Sequence, residues 1–328
     1  MQSSSPLKII TRRPLRAKLI FNATSGRIEE SPHQLANILA EMQNQQILPE
    51  VYMVREDSQV EAVVRNALKA GIKLIVVAGG DGTIDRVAGA LVGRSAALGI
   101  IPIGTRNNLA FNLGVPPSIA AAVAVLREGR RMKIDVGQVT SGQGKRWFLE
   151  AASLGLLSDL YPVADDIQHG NLAQIGGLLS TLVTAIPSHL SLSLDGHRPI
   201  DTTAHLVLIA NMPFLGPRFQ IATDVSFRDN RLDVFVFSDM SKLNLIGYAM
   251  QSTGGAAEDA RIKHYRVKHL TVDSDPPMAL QADGVLLGQQ GGITVLIHRH
   301  ALTVIAGAVL GGEPVASLVV DPEAISGG

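Results

Sequence analysis

From Ala17 to about Lys133, short apolar runs alternate with stretches whose apolar residues recur every three or four positions. Lys18–Phe21, Pro49–Val54, Ile72–Ala78 and Ala97–Ile101 read as strands. The Ile72–Ala78 run is nearly continuous and rich in β-branched residues, as in a strand buried on both faces. Between these strands, Gln34–Asn44 places Leu35, Ile38, Leu39 and Met42 on one helical face. Val60–Ala70 reads as a helix stopped by Gly71, and Ile84–Leu91 as a third helix. Strands alternating with helices imply parallel βαβ units.

After Ile134 the rhythm changes. Trp147–Leu149, Ser191–Leu194, Ala204–Ala210, Leu232–Phe237, Val267–Val272 and Ile293–His298 read as strands, with helices expected only at about Asn171–Ala185 and at Leu243–Met250. The predicted fold is α/β plus β: a Rossmann-like α/β domain followed by an antiparallel, sandwich-like domain. The expected division is a basic tail (1–16), an α/β domain (17–133), a β-rich domain (134–312) and a C-terminal tail (313–328). No internal repeat or low-complexity tract is evident.

Composition narrows the class. The 328 residues suggest about two domains. A hydrophobic content of 46% excludes a disordered chain. Lys plus Arg and Asp plus Glu both number 29, which argues against a global grip on nucleic acid. With no cysteine, disulfides, thiolate zinc sites and Cys nucleophiles are excluded, and a cytoplasmic location is expected. Ile167–Leu194 lacks Asp, Glu, Lys and Arg but carries too many polar residues for a membrane helix, and Ala301–Gly312 is too short. Lys8, Arg12, Arg13, Arg16 and Lys18 make the first residues basic. They suit a solvated tail, a peripheral contact with an anionic membrane surface, or a transit peptide.

The strongest chemical signal follows the buried strand: Gly79-Gly80-Asp81-Gly82-Thr83, then a helix. Glycines permit close backbone approach and positive φ, and a helix N-terminus favours an anion. Asp81 suits a magnesium-bound water and Thr83 a phosphate contact. The competing reading is a tight turn with Asp or Thr as a cap. Two more loops, Asn22-Ala23-Thr24-Ser25-Gly26 and Pro102-Ile103-Gly104-Thr105-Arg106-Asn107-Asn108, follow strands of the same sheet. In a parallel sheet such loops share the ligand-binding edge. His298 and His300 lack metal spacing and read as a solvated edge, as Asp165-Asp166 reads as a solvated segment. Leu172–Ile186 suits core packing or a lipid-accepting cleft.

These motifs, in this order, resemble the diacylglycerol kinase catalytic-domain family, in its bacterial soluble lipid kinase branch. Asn22–Gly26 is similar to Asn-Pro-x-Ser-Gly, and Gly79–Thr83 matches Gly-Gly-Asp-Gly-Thr. Pro102–Gly114 is similar to Pro-Leu-Gly-Thr-x-Asn-Asp-Phe-Ala-x-x-Leu-Gly. Ile134–Gly137, the stretch ending in Asp229–Leu232, and Ala282–Val285 extend the match. NAD kinases share the glycine loop but differ after it. The resemblance implies ATP between the domains, magnesium bridging its phosphates and a lipid alcohol as acceptor. Asn22, Ser25, Gly26, Gly79–Thr83, Gly104, Thr105, Asn107 and Asn108 would bind the nucleotide. It also implies a structural cation at Asp229, with carbonyls around Ser226 and Arg231. The same reading leaves room for a homodimer.

This chain departs from the family pattern at the chemistry. The family's glutamate in Asp-Gly-Glu, which looks like the proton acceptor, is Val285, and the second residue of its Asn-Asp pair is Asn108. Val54 stands where a threonine is often found. Asp283, which would share a face with Val285 in extended chain, and Asp135 are the expected replacements. Asp283 also reads as a turn residue. Two functional classes follow: a magnesium- and ATP-dependent lipid kinase using Asp81, Asp283 and Asp135, or a nucleotide- or lipid-binding pseudokinase. An NAD kinase-like enzyme ranks third.

Overall fold

The computed structural model describes residues 13–25, 31–156, 186–215, 221–222, 224–238 and 262–307. The helices expected near 171–185 and 243–250, the 165–166 pair, Gly26 and the tail beyond 307 lie outside these residues. So does nearly all of the 172–186 segment.

The first half alternates as its apolar pattern requires: β1 (Leu15–Phe21), α1 (Ser31–Asn44), β2 (Ile47–Met53), α2 (Val60–Lys69), β3 (Leu74–Gly79), α3 (Asp81–Leu91) and β4 (Ala97–Pro102). β3 and β4 are buried along their whole length, which is why they read as continuous apolar runs. The parallel order is β4-β3-β1-β2. The chain steps from β1 to β2 in one direction and from β3 to β4 in the other, so the strand order reverses between β1 and β3. Ligands of open α/β sheets bind outside such a reversal. Right-handed crossovers put α1 and α2 on opposite faces, where α1 packs with α5 and α2 with α3.

Two short helices, α4 (Asn108–Asn112) and α5 (Ile119–Glu128), escape the sequence pattern. The antiparallel part comprises β5 (Arg130–Ser141), β6 (Gly144–Phe148), β7 (Ala151–Gly155), β8 (Ser188–Leu194), β9 (Ile200–Ala204), β10 (Leu206–Ala210), β11 (Leu232–Phe237), β12 (Ile262–Val267), β13 (His269–Ala282) and β14 (Val285–Ala306). The strand expected over Val267–Val272 is two strands that break at Lys268, and Ala204–Ala210 is likewise divided at His205. Arg16, assigned to the tail, lies within β1 and pairs with Glu50 at 2.7 Å.

β14 joins the two halves. Its first part pairs antiparallel with β13 and β5, and Thr303 and Val304 then pair in parallel with Ala97 and Leu98 of β4. One 14-stranded sheet therefore runs through the molecule. The expected domain boundary at 133/134 falls inside β5, and Leu302, Val304, Ile305 and Ala306 pack in the same hydrophobic cluster as β1, β3 and β4. A second cluster, with Val207, Val234, Leu270 and Val295, fills the β-rich half.

Candidate active site

The three loops meet where the strand order reverses. Asn22 Nδ2 donates to Thr83 Oγ1 at 2.9 Å, and Gly80 N–H donates to Ser25 Oγ at 3.0 Å. Asn107 holds its own loop closed: Oδ1 accepts from Gly104 N–H at 3.0 Å and Nδ2 donates to Gly104 O at 2.7 Å. It does so at a left-handed φ of 53°, which Asn tolerates better than most residues. Asn22, Ser25 and Asn107 thus shape the loops, while Thr105 is exposed on the rim.

The glycines act by allowing close approach, not by positive φ. None of Gly79, Gly80, Gly82 and Gly104 has φ in the left-handed region. A Cβ on Gly104 would lie 2.4 Å from Gly80 Cα, so the β3 and β4 loops touch backbone to backbone. A Cβ on Gly82 would meet nothing within 4 Å, and Gly82 is exposed. The amides of Asp81 and Gly82, in the first turn of α3, precede the helix's own hydrogen bonds, which begin with Thr83 N–H donating to Gly80 O at 3.0 Å.

α3 starts at Asp81, with Gly80 as its N-cap and no side-chain capping bond. The capping alternative for Asp81 and Thr83 is therefore not what forms. The Asp81 carboxyl faces the amides of Asn107, Asn108 and Leu109, with Arg106 nearby, and burial raises its pKa. Asp81 Oδ1 and Asn108 Oδ1 are buried without a hydrogen-bond partner. Orphaned oxygens of this kind fit a hard cation or its water. Among the described residues no group of three His, Cys, Asp or Glu is arranged to hold a metal. The two orphaned oxygens, Asp81 Oδ1 and Asn108 Oδ1, would fit a magnesium that takes its other ligands from phosphate and water, as that ion commonly does.

Around Asp81 lies an acidic group that sequence reasoning missed. Asp85, one turn along α3, bonds Arg146 at 2.8 Å. Glu150 sits between β6 and β7 with 8% of its surface exposed. Desolvation and the charges of Asp283, Asp81 and Asp85 push its pKa well above the carboxylate range, while the Asn108 amide, bonded to it, pulls the other way. Desolvation and Asp283 likewise push Asp85 well up, against Arg146. In sequence, Asp85 looks like a helix-surface residue and Glu150 like an interruption of an apolar run. Neither carried a signal.

Asp283 is not placed as expected. Asp283 (φ 44°) and Gly284 (φ 78°) form the two-residue turn between the paired Ala282 and Val285, with both φ positive as in a type I′ turn. The extended-chain premise that put 283 and 285 on one face fails there. The Asp283 carboxylate turns inward and accepts the N–H groups of Leu149, Glu150 and Ala151 at 2.5, 2.9 and 3.0 Å. Val285 is 37% exposed. Asp135 is buried in a separate clip, accepting Asn230 N–H at 2.7 Å and His300 N–H at 2.6 Å. Both carboxylates are committed to backbone amides, so neither is a free substitute base.

The expected structural cation also meets a difficulty. Asp229 Oδ1 accepts Arg231 N–H at 3.0 Å, and its Oδ2 is taken by the Arg266 guanidinium. Ser226 Oγ accepts Arg228 N–H at 3.3 Å. A positive side chain already neutralises this carboxylate, so the residues do not fit a bound cation. His298, expected at a solvated edge, packs edge-on against Trp147 with ring centroids 4.8 Å apart, and burial lowers its pKa. His300 lies at a bulge with φ 51°.

Residues 16–139 match the family model described as diacylglycerol kinase catalytic domain, and residues 161–306 match the YegS C-terminal NAD kinase beta sandwich-like domain. Over residues 16–139 the chain is similar to the diacylglycerol kinase catalytic-domain family. A diacylglycerol kinase of Bacillus subtilis is 28% identical over 292 residues, covering 87% of this chain and 94% of that protein. The crystal structure of a diacylglycerol kinase from Bacillus anthracis superposes with a TM-score of 0.73 at 22% identity, covering 89% of this chain and 97% of that one. An Archaeoglobus fulgidus NAD kinase in complex with ATP gives a TM-score of 0.51 at 12% identity, covering 90% and 94%. Those two likenesses concern the fold, α/β plus a β-rich sandwich-like part, which this chain has. Among the described residues no helix is long and apolar enough to cross a membrane.

The buried acids predict a pH signature. In the unfolded chain Glu150 ionises in the ordinary range, whereas in the fold it keeps its proton to higher pH. The folded state then binds more protons, so stability falls as pH rises from the ordinary carboxylate range through the raised pKa. Glu150→Gln removes this penalty. Without divalent cations, wild type and Glu150→Gln are expected to melt together below about pH 4, under the ordinary carboxylate range. The variant gains by pH 8, by the ~2–4 °C that ~1 kcal/mol is worth at this size. Thermal melts across that range check it; a constant gap contradicts it.

Proposed function

We propose that this chain transfers the γ-phosphate of ATP, with magnesium, to the hydroxyl of diacylglycerol or a related lipid alcohol. The observation that carries this reading is the meeting of three loops at the strand reversal, with Asp81 Oδ1 left buried and unpartnered beside open α3 amides. Phosphoryl transfer needs little covalent chemistry from a protein; it needs positioning and charge stabilisation. The backbone amides at Asp81 and Gly82 receive phosphate oxygens, with the Thr83 hydroxyl fixed by Asn22. The Gly80–Gly104 contact sets how far apart the two loops stand. Asp81 and Asn108 would hold magnesium, through water, where it neutralises phosphate charge. Arg106, near Asp81, adds a positive side chain on the same edge.

A second reading is a pseudokinase that binds nucleotide without efficient transfer. It is favoured by Val285 and Asn108, which replace two carboxylates of the family pattern.

The test is magnesium-dependent transfer of labelled γ-phosphate from ATP to lipid alcohols in mixed micelles. Wild type is expected to transfer, and Asp81→Ala to lose about 10²–10³-fold, the usual cost of removing a charge-stabilising group. Wild type that binds MgATP yet labels no lipid would leave the pseudokinase reading in place.

A further inference from the structure

We propose that Asn112 is a positioning residue for phosphoryl transfer: it clamps the Asn211–Phe214 segment to α4 and so fixes the phosphate-loop edge against the β-rich half. The proposal rests on the lipid kinase reading, in which the nucleotide lies on the α/β half and the lipid hydroxyl comes to it from the β-rich half.

α4 carries the site at one end and this clamp at the other. Asn108, its first residue, follows the loop that touches Gly80 through Gly104. One turn on, Asn112 is 1% exposed and spends both ends of its amide on a distant residue. Nδ2 donates to Phe214 O at 3.0 Å, and Oδ1 accepts Phe214 N–H at 3.2 Å. The same Nδ2 donates to Asn108 O at 3.0 Å. One side chain therefore ties the start of α4 to a residue 102 positions away. Beside it the Phe111 and Phe214 rings meet edge to face, with centroids 5.2 Å apart, a preferred aromatic geometry.

The other end of the segment is tied to the β-rich half. Asn211 N–H and Met212 N–H both donate to Glu150 O, at 2.9 and 3.1 Å. Asn211 is fully buried and donates through Nδ2 to Leu149 O at 2.7 Å and to Asp135 O at 3.1 Å. Leu149 to Ala151 are the residues whose amides Asp283 holds. Between the anchors, Met212 packs into the core of the α/β half, and Pro213 restricts the backbone. The Asn211–Phe214 segment thus runs from the β6–β7 junction to α4, pinned at each end by a buried asparagine.

An apolar side chain could fill the space of Asn112 without the cost of burying an amide. What the amide adds is direction. A single bond would let Phe214 swing, whereas opposed bonds to its N–H and its C=O fix both its height and its angle against α4. Asn107 closes its own loop on Gly104, so the nucleotide edge keeps its shape without Asn112. Loss of the clamp therefore falls on the alignment of the two halves. Phosphoryl transfer depends on such alignment, because the attacking and leaving oxygens must lie roughly in line.

The experiment compares wild type, Asn112→Ala, Phe214→Leu and the double variant in the micelle assay, each well below its own melting midpoint. MgATP binding is followed in parallel. Asn112→Ala is expected to lower kcat about 10²-fold, the cost of roughly an ångström of misplacement. Its Kd for MgATP is expected to stay within about threefold, since the lost interaction acts on the transfer step. Phe214→Leu keeps both backbone bonds and loses the ring contact, so a smaller displacement and about a tenfold loss of kcat are expected. Both changes act on one joint. The double variant should therefore fall about as far as Asn112→Ala alone, not the ~10³-fold that independent effects would give. A residue that merely stabilises the fold would lower the melting temperature and leave kcat unchanged. That result, beside an active wild type, overturns the proposal and leaves the kinase reading intact. Losses that multiply in the double variant, or MgATP binding weakened as much as kcat, overturn it equally. If Asn112→Ala does not fold, Phe214→Leu decides alone, and an unchanged kcat there overturns the proposal. Wild type that binds MgATP without transferring phosphate overturns both.

Discussion

Asp283→Ala is expected to melt at least about 6 °C below wild type, the largest stability loss of any single change in the site. The mutation strips the acceptor from three consecutive buried amides, Leu149 to Ala151. Each buried donor left unpaired costs ~1–3 kcal/mol. Alanine at a φ of 44° adds strain of ~1–2 kcal/mol, because Cβ crowds the carbonyl in that region. Relief of repulsion with Asp85 and Glu150 returns part of this. The net is ~3 kcal/mol or more, and 1 kcal/mol shifts the melting temperature ~2–4 °C at this size. Asp283→Asn keeps an oxygen acceptor and suits the left-handed turn, so its loss should be less than half as large. Circular-dichroism melts distinguish the roles. If Asp283→Ala melts like wild type while transfer disappears, Asp283 acts in the chemistry and the anchoring role is wrong.

Gly104→Ala should act oppositely, on rate far more than on stability. The added methyl would sit 2.4 Å from Gly80 Cα and 3.1 Å from Gly80 N, and neither backbone atom can rotate away. The two loops must separate by about an ångström, a displacement that can cost ~10²-fold when reacting groups depend on alignment. We expect kcat/KM for ATP to fall at least about 10²-fold while the melting temperature drops only a few degrees, because Gly80 and Gly104 themselves are only half-buried. Steady-state kinetics beside a melt decide the matter. Unchanged kinetics would mean that the Gly80–Gly104 contact does not set the phosphate geometry.

What the sequence allowed one to see follows from what each residue does locally. β3 and β4 are legible because burial on both faces leaves only apolar residues. α5 is not, since Ala120, Ala121 and Ala122 blur the contrast between its faces. The expected strands covered only the first four residues of β13 and the central segment of β14. β13 carries Asp273, Asp275, Pro276 and Pro277 on exposed or irregular positions, and β14 contains Gly291-Gly292 and the His300 bulge. Such residues normally end strands, and here the long ladder overrides them. At the site, the glycine loop was visible from spacing alone. The roles of Asp283 and Asp135 were not, because accepting amides from segments more than ninety residues away leaves no local trace. Glu150 was hidden for the same reason: its neighbours Asp81, Asn108 and Asp283 come from three separate parts of the chain.

The return of β14 to the edge of β4 bears on how the protein is made. The cluster around β1, β3 and β4 takes Leu302, Val304 and Ile305 as structural members. A ribosome delivers those residues after every strand of the β-rich half. The phosphate-binding half therefore waits, with its β4 edge unpaired, for almost the whole of translation. An open parallel edge is a template for wrong partners, and nascent chains with such edges are where aggregation begins. A gene fragment stopping at residue 139 inherits that exposed edge permanently. It should accumulate as insoluble protein, whereas supplying the β14 segment as a separate peptide should draw part of it into solution.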